Sequence, residues 1–434
     1  MSRAIIYLMD MSLYVKRIKH WGLKGGLGIL DQGLYSGVNF LLGILLARWL
    51  SPAMYGSFSA AYSLFLLFSV AQVALIAEPM SILGVDQYRH NITSYLNYLL
   101  RVQLIASILP FLLMLLSTLF ITNNMLRDTM IAMGSALPLI LYYWYLRRAF
   151  YLEMQSGMAM LTSLIYSVLL LLIVFLIQLV GHLTASAAYW AISLSSLVAG
   201  LFALKRLGLQ LFGEWGDQAS LNPRIVNRQL WEFGKWILPA YLAGWFTTLS
   251  FPFLITIFLN AQSAGAFRAL QNLFLPFHQL LAAITLLVLP WLSRQKTEHG
   301  SATLFAATQV VAGITGLFAM LYCLVIVIFR REIVDFLYSS PFYSSFDYLI
   351  IFLAISTLLG SAPLILGLAL RVLGQQNIIL WSKGSGAIFT LIFGIPIIWM
   401  LHMKGVIVSL IGGVFIETII LLFFYFRIRK PISF

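Results

Sequence analysis

The chain has 434 residues, of which 61% are hydrophobic and 9% charged, with a net charge of +13 and a single cysteine. Charged residues make up about 25% of an ordinary soluble domain, so a large water-soluble fold is excluded. One cysteine excludes an intrachain disulfide or thiolate metal cluster, and the positive charge does not point to nucleic acid, because it collects in the connections between apolar runs.

The runs are close to the ~20 residues needed to cross a hydrocarbon core about 30 Å thick. Backbone groups in that core must be satisfied within the segment, and no barrel-like alternation is visible, so the runs are predicted helices. Residues 4–15 are weakly apolar, interrupted by Asp10 and without a small-residue cleavage site, so no cleavable signal is expected. Twelve spans are predicted, near 29–50, 55–77, 96–121, 128–147, 157–180, 184–204, 234–259, 264–292, 301–329, 346–370, 376–400 and 405–427. The first ends at Ser51-Pro52, where proline lacks an N–H and clashes with the preceding turn. Glu78-Pro79 is expected to close the second. Tyr142 to Tyr145 followed by Arg147-Arg148 reads as an interfacial belt and anchor at the end of the fourth.

The longest polar stretch, 205–233, contains GEWGDQASLNPR and divides six spans from six. The expected organisation is a first six-helix half at 1–204, a linker at 205–233 and a second half at 234–434. Of the 27 Lys and Arg residues, twenty fall on the linker side, six on the other side and Arg101 within a span. The pair Arg330-Arg331 is the one awkward case on the poorer side, softened by Glu332 and Asp335. The positive-inside rule then places both termini in the cytoplasm. An even number of spans per half makes the halves parallel repeats about an axis along the membrane normal.

A repeat supports the duplication. Leu259 to Phe277 (LNAQSAGAFRALQNLFLPF) laid on Leu50 to Phe68 repeats Leu50, Gly56, Phe58, Ala60, Leu64, Phe65, Leu66 and Phe68 at a spacing of 209 residues. Gly56, Ser57, Ser59, Ala60 and Ala61 allow a close helix–helix approach.

Polar groups within a membrane are costly and face the protein interior or a water-filled cavity. In the first span Asp31, Tyr35 and Asn39 share a face, with Gln32 beside them. In the eighth, Arg268, Gln271, Asn272, His278 and Gln279 follow helical spacing. Ser59, Tyr62, Ser63, Ser69 and Gln72 form a matching stripe on the second span. Together they predict a central cavity, although the second-span stripe reads equally well as interhelical hydrogen bonding. Asn39, Arg48, Gln72, Arg101, Arg268, Gln271, Asn272 and His278 are the candidate substrate-binding residues. Arg48 reads alternatively as a snorkelling cation. Asp31 and Glu78 are candidates for ion coupling, with Glu417 a third. There is no phosphate-binding P-loop, no H-E-x-x-H and no metal-ligand spacing, so no ATPase, metal site or cofactor is expected. A proton or sodium gradient is the energy source considered.

The segment GILLARWLSPAMYGSFSAAYSL resembles the first-to-second-span signature of the polysaccharide-flippase branch of the multidrug/oligosaccharidyl-lipid/polysaccharide exporter superfamily. Ala47, Arg48, Ser51, Pro52, Tyr55, Gly56 and Phe58 carry the likeness. RVLGQQN (Arg371 to Asn377) and MKGVIVSLIGG at the last span also resemble that branch. The resemblance implies an all-α integral membrane protein of about twelve helices, in two parallel six-helix halves around a central cavity. It implies movement of an undecaprenyl-pyrophosphate-linked oligosaccharide from the cytoplasmic to the outer leaflet of a bacterial plasma membrane, for O-antigen, capsule or exopolysaccharide synthesis. A polysaccharide polymerase and a chain-length regulator are the protein partners it implies. Two other readings stay open: a cation-coupled drug exporter of the same superfamily, and a membrane glycan polymerase or ligase, against which the short outer connections argue.

Overall fold

The computed structural model describes residues 2–211, 221–338 and 340–429, with side chains from residue 26 onward except Leu286. The described residues are mostly helical, and no strand occurs among them. The first helices are α1 (Ser2–Trp49), α2 (Pro52–Gln72), α3 (Glu78–Asp86), α4 (Ile92–Ser117), α5 (Asn124–Leu152), α6 (Ser156–Leu179) and α7 (Ala185–Leu207). There follow α8 (Pro223–Gly244), α9 (Phe251–Phe258), α10 (Ala261–Asn272), α11 (Leu275–Ile328), α12 (Arg330–Leu337), α13 (Pro341–Ser344), α14 (Leu349–Val372), α15 (Gln376–Phe389) and α16 (Ile395–Arg429).

Nine helices among the described residues are long and apolar enough to cross a membrane, or ten when α8 and α9, bent by 55°, form one span. Two of the nine, Leu275–Ile328 and Gln376–Arg429, each have 54 residues. A straight helix of that length would be about 81 Å long, far more than a bilayer core. Each turns on one non-helical residue, Gly300 in α11 and His402 in α16, and so crosses twice. The total is the twelve spans predicted. The expected linker is shorter than 205–233, because α7 continues to Leu207 and α8 starts at Pro223. Gly208, in the left-handed region at φ 64°, ends α7, and the Asn222 side chain caps α8. Most of GEWGDQASLNPR lies outside the described residues.

Proline does not end the second span. Val73–Ala77 forms a π turn and the helix continues through Pro79 to Asp86. The same device recurs at Trp245–Leu249 before Pro252, and at Thr390–Gly394 before Pro396. A proline ring clashes with the carbonyl four residues earlier. Those carbonyls belong to Leu75, Thr248 and Ile392, each inside a π turn. The wider turn moves the carbonyl aside, and the helix goes on past Pro79 and Pro396 while the chain bends by 55° before Pro252; Pro110, Pro138, Pro239, Pro290 and Pro363 lie inside α-helices without such a turn.

The repeated segments meet each other. α2 and α10 cross at Gly56 and Gly265, where a Cβ on Gly56 would collide with the Ala261 carbonyl and one on Gly265 with the Pro52 carbonyl. Ser51 accepts from the Met54 amide (3.3 Å) and Asn260 from the Ser263 amide (2.8 Å), so both helices are capped at the same repeat position. The chain also joins across on the linker face. Tyr88 donates to Gln229 (2.6 Å), Tyr98 to Asn227 (2.7 Å), and Gly234 packs on Ala74 and Leu75 of the first π turn. On the opposite face, Arg330 and Arg331 both bind Asp347 at 3.1 Å, a partner further along the chain than Glu332 and Asp335.

Candidate cavity and its charged lining

The cavity depends on a break inside the eighth span. α10 ends at Asn272, Leu273 and Phe274 turn, and α11 starts at Leu275-Pro276. The break brings Arg268 and Gln271, from the end of α10, and His278, from the start of α11, to one space of about 640 Å³. Arg268 donates to the Gln271 side-chain oxygen (2.9 Å), and its guanidinium carbon lies 5.4 Å from the Tyr62 ring centre. The ring stabilises the cation without neutralising it, so the charge remains available to the cavity. These three predicted residues are brought together.

The other predicted residues lie elsewhere. Asn272, one residue past Gln271, faces away from the cavity: it is buried, donates to the Tyr55 hydroxyl (2.7 Å) and lies against Gly43, where a Cβ would come within 2.8 Å of its amide nitrogen. Asn39 donates to the Tyr35 carbonyl (2.7 Å), and Gln72 to the Leu141 carbonyl (3.1 Å). Arg48 is exposed at the end of α1, and Arg101 is half-buried on α4. The second-span stripe is consumed by packing: Ser59 donates to the Tyr55 carbonyl, Ser69 to the Leu66 carbonyl and Ser63 to the Leu249 carbonyl. Among the described lining residues only Val70 precedes the linker.

The two predicted coupling carboxylates are engaged. Asp31 is fully buried and accepts from Arg147 through Nη2 (2.7 Å) and Nε (3.1 Å), and from the Tyr151 hydroxyl. Arg147 also donates to Gln32 (3.1 Å) and lies 4.5 Å from the Tyr35 ring centre. Gln32 and Ser36 in turn donate to Gln279 of α11, the latter at 2.9 Å. The expected anchor Arg147 is therefore an internal ion-pair partner, and Arg148 donates to Ser81 (3.1 Å). The reason is their place on α5, which runs on to Leu152 and keeps both within the helix body. Glu78 accepts from the Tyr241 hydroxyl, across from the first six spans to the second.

Three charged residues that the sequence did not place at a substrate site line the cavity: Arg371, Lys383 and Glu417. Arg371 is in the last turn of α14, and Lys383 on α15 pairs with Glu417 on α16 at 3.2 Å. The two arginines form no ion pair among the described residues. A visible signal existed for the pair, since Lys383 and Glu417 are opposite charges inside two apolar spans. Three cations face one carboxylate, so the lining is cationic.

Twelve helical spans built on a duplicated helix crossing, with a cavity beside the crossing that carries a few charged groups in a largely apolar wall, define a multi-pass membrane protein with an internal cavity. An inward-facing multidrug resistance MATE family transporter of the MOP superfamily has a TM-score of 0.73 at 15% identity, over 92% of this chain and 94% of that one. The lipid II flippase MurJ, in an inward closed conformation, has a TM-score of 0.69 at 11% identity, over 94% of this chain and 89% of that one. A MOP superfamily transporter from Pyrococcus furiosus Vc1, described as having a binding pocket of reverse polarity, has a TM-score of 0.61 at 15% identity, over 95% of each chain. No curated protein matches the chain. The model of the polysaccharide biosynthesis protein family matches residues 24–296, more than half the length, and the chain belongs to that family.

Proposed function

We propose that the protein is a flippase that moves an undecaprenyl-pyrophosphate-linked oligosaccharide from the cytoplasmic to the outer leaflet of a bacterial plasma membrane, with both termini in the cytoplasm. The observation that carries this reading is the cationic cavity, with Arg268, Arg371 and Lys383 against Glu417. A diphosphate and its sugars cannot enter hydrocarbon unaided. Guanidinium groups bind phosphate oxygens two at a time, and the Gln271, Ser356 and Ser361 side chains lining the same space suit sugar hydroxyls. Membership of a polysaccharide biosynthesis family supports the glycan, and fold likeness to a lipid II flippase supports a lipid-linked anion. The lipid tail stays in the bilayer while the two six-helix halves, 1–204 and 234–434, rock against each other, parting and closing α2 and α10 at the Gly56–Gly265 crossing, to expose the cavity to each side in turn.

The test is a vesicle assay with a labelled lipid-linked oligosaccharide, comparing the wild type, Arg268→Ala and empty vesicles. Protein-dependent appearance of the glycan on the opposite leaflet, reduced at least tenfold by the substitution, is expected if Arg268 contributes one charge-assisted contact of about 1.5 kcal/mol or more. Expulsion of a cationic dye under a proton or sodium gradient, without movement of the lipid-linked glycan, would instead identify a drug exporter.

A further inference from the structure

We infer that Arg371 and Lys383 form a second anion station at the linker-face mouth of the cavity, separate from Arg268, and that Glu417 is its resident counter-ion. The inference rests on the flippase reading and adds a place where the diphosphate of the lipid carrier is held before it reaches Arg268.

Position comes first. The cavity lining follows α14 from Leu353 to Arg371, eighteen residues of helix and so about 27 Å. Arg268 belongs to α10, and the carbonyl of the next residue, Ala269, accepts from the Tyr338 hydroxyl (2.7 Å) in the connection that leads into the Leu353 end of α14. Arg371 is at the other end, exposed in the last turn of α14, and Lys383 is two turns into α15. A diphosphate is only a few ångströms long, so one headgroup cannot engage both ends together.

The mouth is built around the lysine. Gly244 on α8 leaves its side open, and a Cβ there would lie 3.7 Å from Lys383 Nζ. One turn earlier Tyr241 lines the same wall and lies within electrostatic reach of Arg371. Glu417 holds the ammonium at 3.2 Å from the far side, while Ser382 donates to the Glu417 carbonyl (3.1 Å) and fixes the two helices in register. Glu417 differs from Asp31 and Glu78 in being the carboxylate that faces the cavity. In an empty cavity it satisfies Lys383. An arriving diphosphate, with more negative charge and more acceptor oxygens, takes the ammonium and adds the Arg371 fork. The carboxylate thus weakens anion binding at the mouth, which keeps the station from retaining its ligand.

The full-length protein in detergent is titrated calorimetrically with inorganic pyrophosphate, with thermal unfolding of each variant as a control. E417Q should bind about tenfold more tightly than the wild type, and K383Q and R371Q about tenfold more weakly. In an R268Q background, the remaining binding should still tighten on adding E417Q. R371Q leaves the ion pair intact and decides the matter if the other variants do not fold. Wild-type binding that is unchanged in E417Q, K383Q and R371Q overturns the station and leaves the flippase reading standing. No binding of pyrophosphate to the wild type overturns both. Farnesyl pyrophosphate should bind more tightly than either pyrophosphate or ADP; equal affinity for all three overturns the assignment to a lipid.

Discussion

Asp31 and Arg147 show why a charge inside a membrane need not be a transport residue. The carboxylate takes three hydrogen-bond donors from two side chains of α5 and reaches no space where substrate or water could compete. Removing one member of such a pair leaves the other buried and unpaired, at a cost of about 3–5 kcal/mol. Asp31→Asn should therefore lower the thermal unfolding midpoint markedly, and Asp31→Asn combined with Arg147→Met should recover much of the loss. A variant that folds normally but loses coupling to an ion gradient would return Asp31 to the transport cycle. The first-span face of Asp31, Tyr35 and Asn39 was legible from helical spacing. Its purpose was not, because spacing along one helix does not reveal the α5 guanidinium opposite. Arg268 was legible for the opposite reason: its neighbours Gln271 and His278 lie on the same segment as itself.

At the scale of the element, the twelve spans could be read from run length, yet prolines misled the boundaries. Pro79 was expected to stop a helix that passes through it, because the compensating π turn has no sequence signal apart from the proline itself. The arrangement at Pro79, Pro252 and Pro396, a π turn enclosing the carbonyl four residues earlier, is not shared by the prolines inside α4, α5, α8, α11 and α14, and it makes a prediction. Pro252→Ala restores an N–H facing Thr248, so that amide should become protected in hydrogen exchange and the 55° bend between α8 and α9 should relax. An amide at 252 that exchanges freely would mean the bend has another cause. The helix caps separate more simply. Ser51→Ala and Asn260→Ala should each cost about 1 kcal/mol in unfolding measurements, whereas Gly313→Ala on α11, with nothing within 4 Å of the added Cβ, should be neutral or stabilising by up to about 1 kcal/mol.

In the whole molecule, the repeat at 209-residue spacing marked where the two copies cross, and the crossing is at Gly56 and Gly265. What the repeat could not show is that the cavity would be so unequal, with Val70 the lone described lining residue before the linker. Equivalent positions have diverged: Ser59 corresponds to Arg268, Tyr62 to Gln271 and Ser69 to His278. At these positions the first copy carries Ser59 and Ser69, which bond to carbonyls of their own helix, and the second carries groups that line the cavity. Duplication fixed the frame, and divergence gave the site to one side.

The glycine crossing also has a use as a mechanical probe. A methyl group at position 56 cannot coexist with the Ala261 carbonyl while α2 and α10 touch, but it costs nothing once they separate. Gly56→Ala is then a wedge rather than a mere defect. In a protein that rocks, it should bias the population toward the form open on the face opposite the linker, so that a cysteine label placed at His278 reacts faster from that face. If the folded variant is labelled at the wild-type rate, α2 and α10 remain together throughout the cycle and the crossing is a fixed pivot rather than a gate.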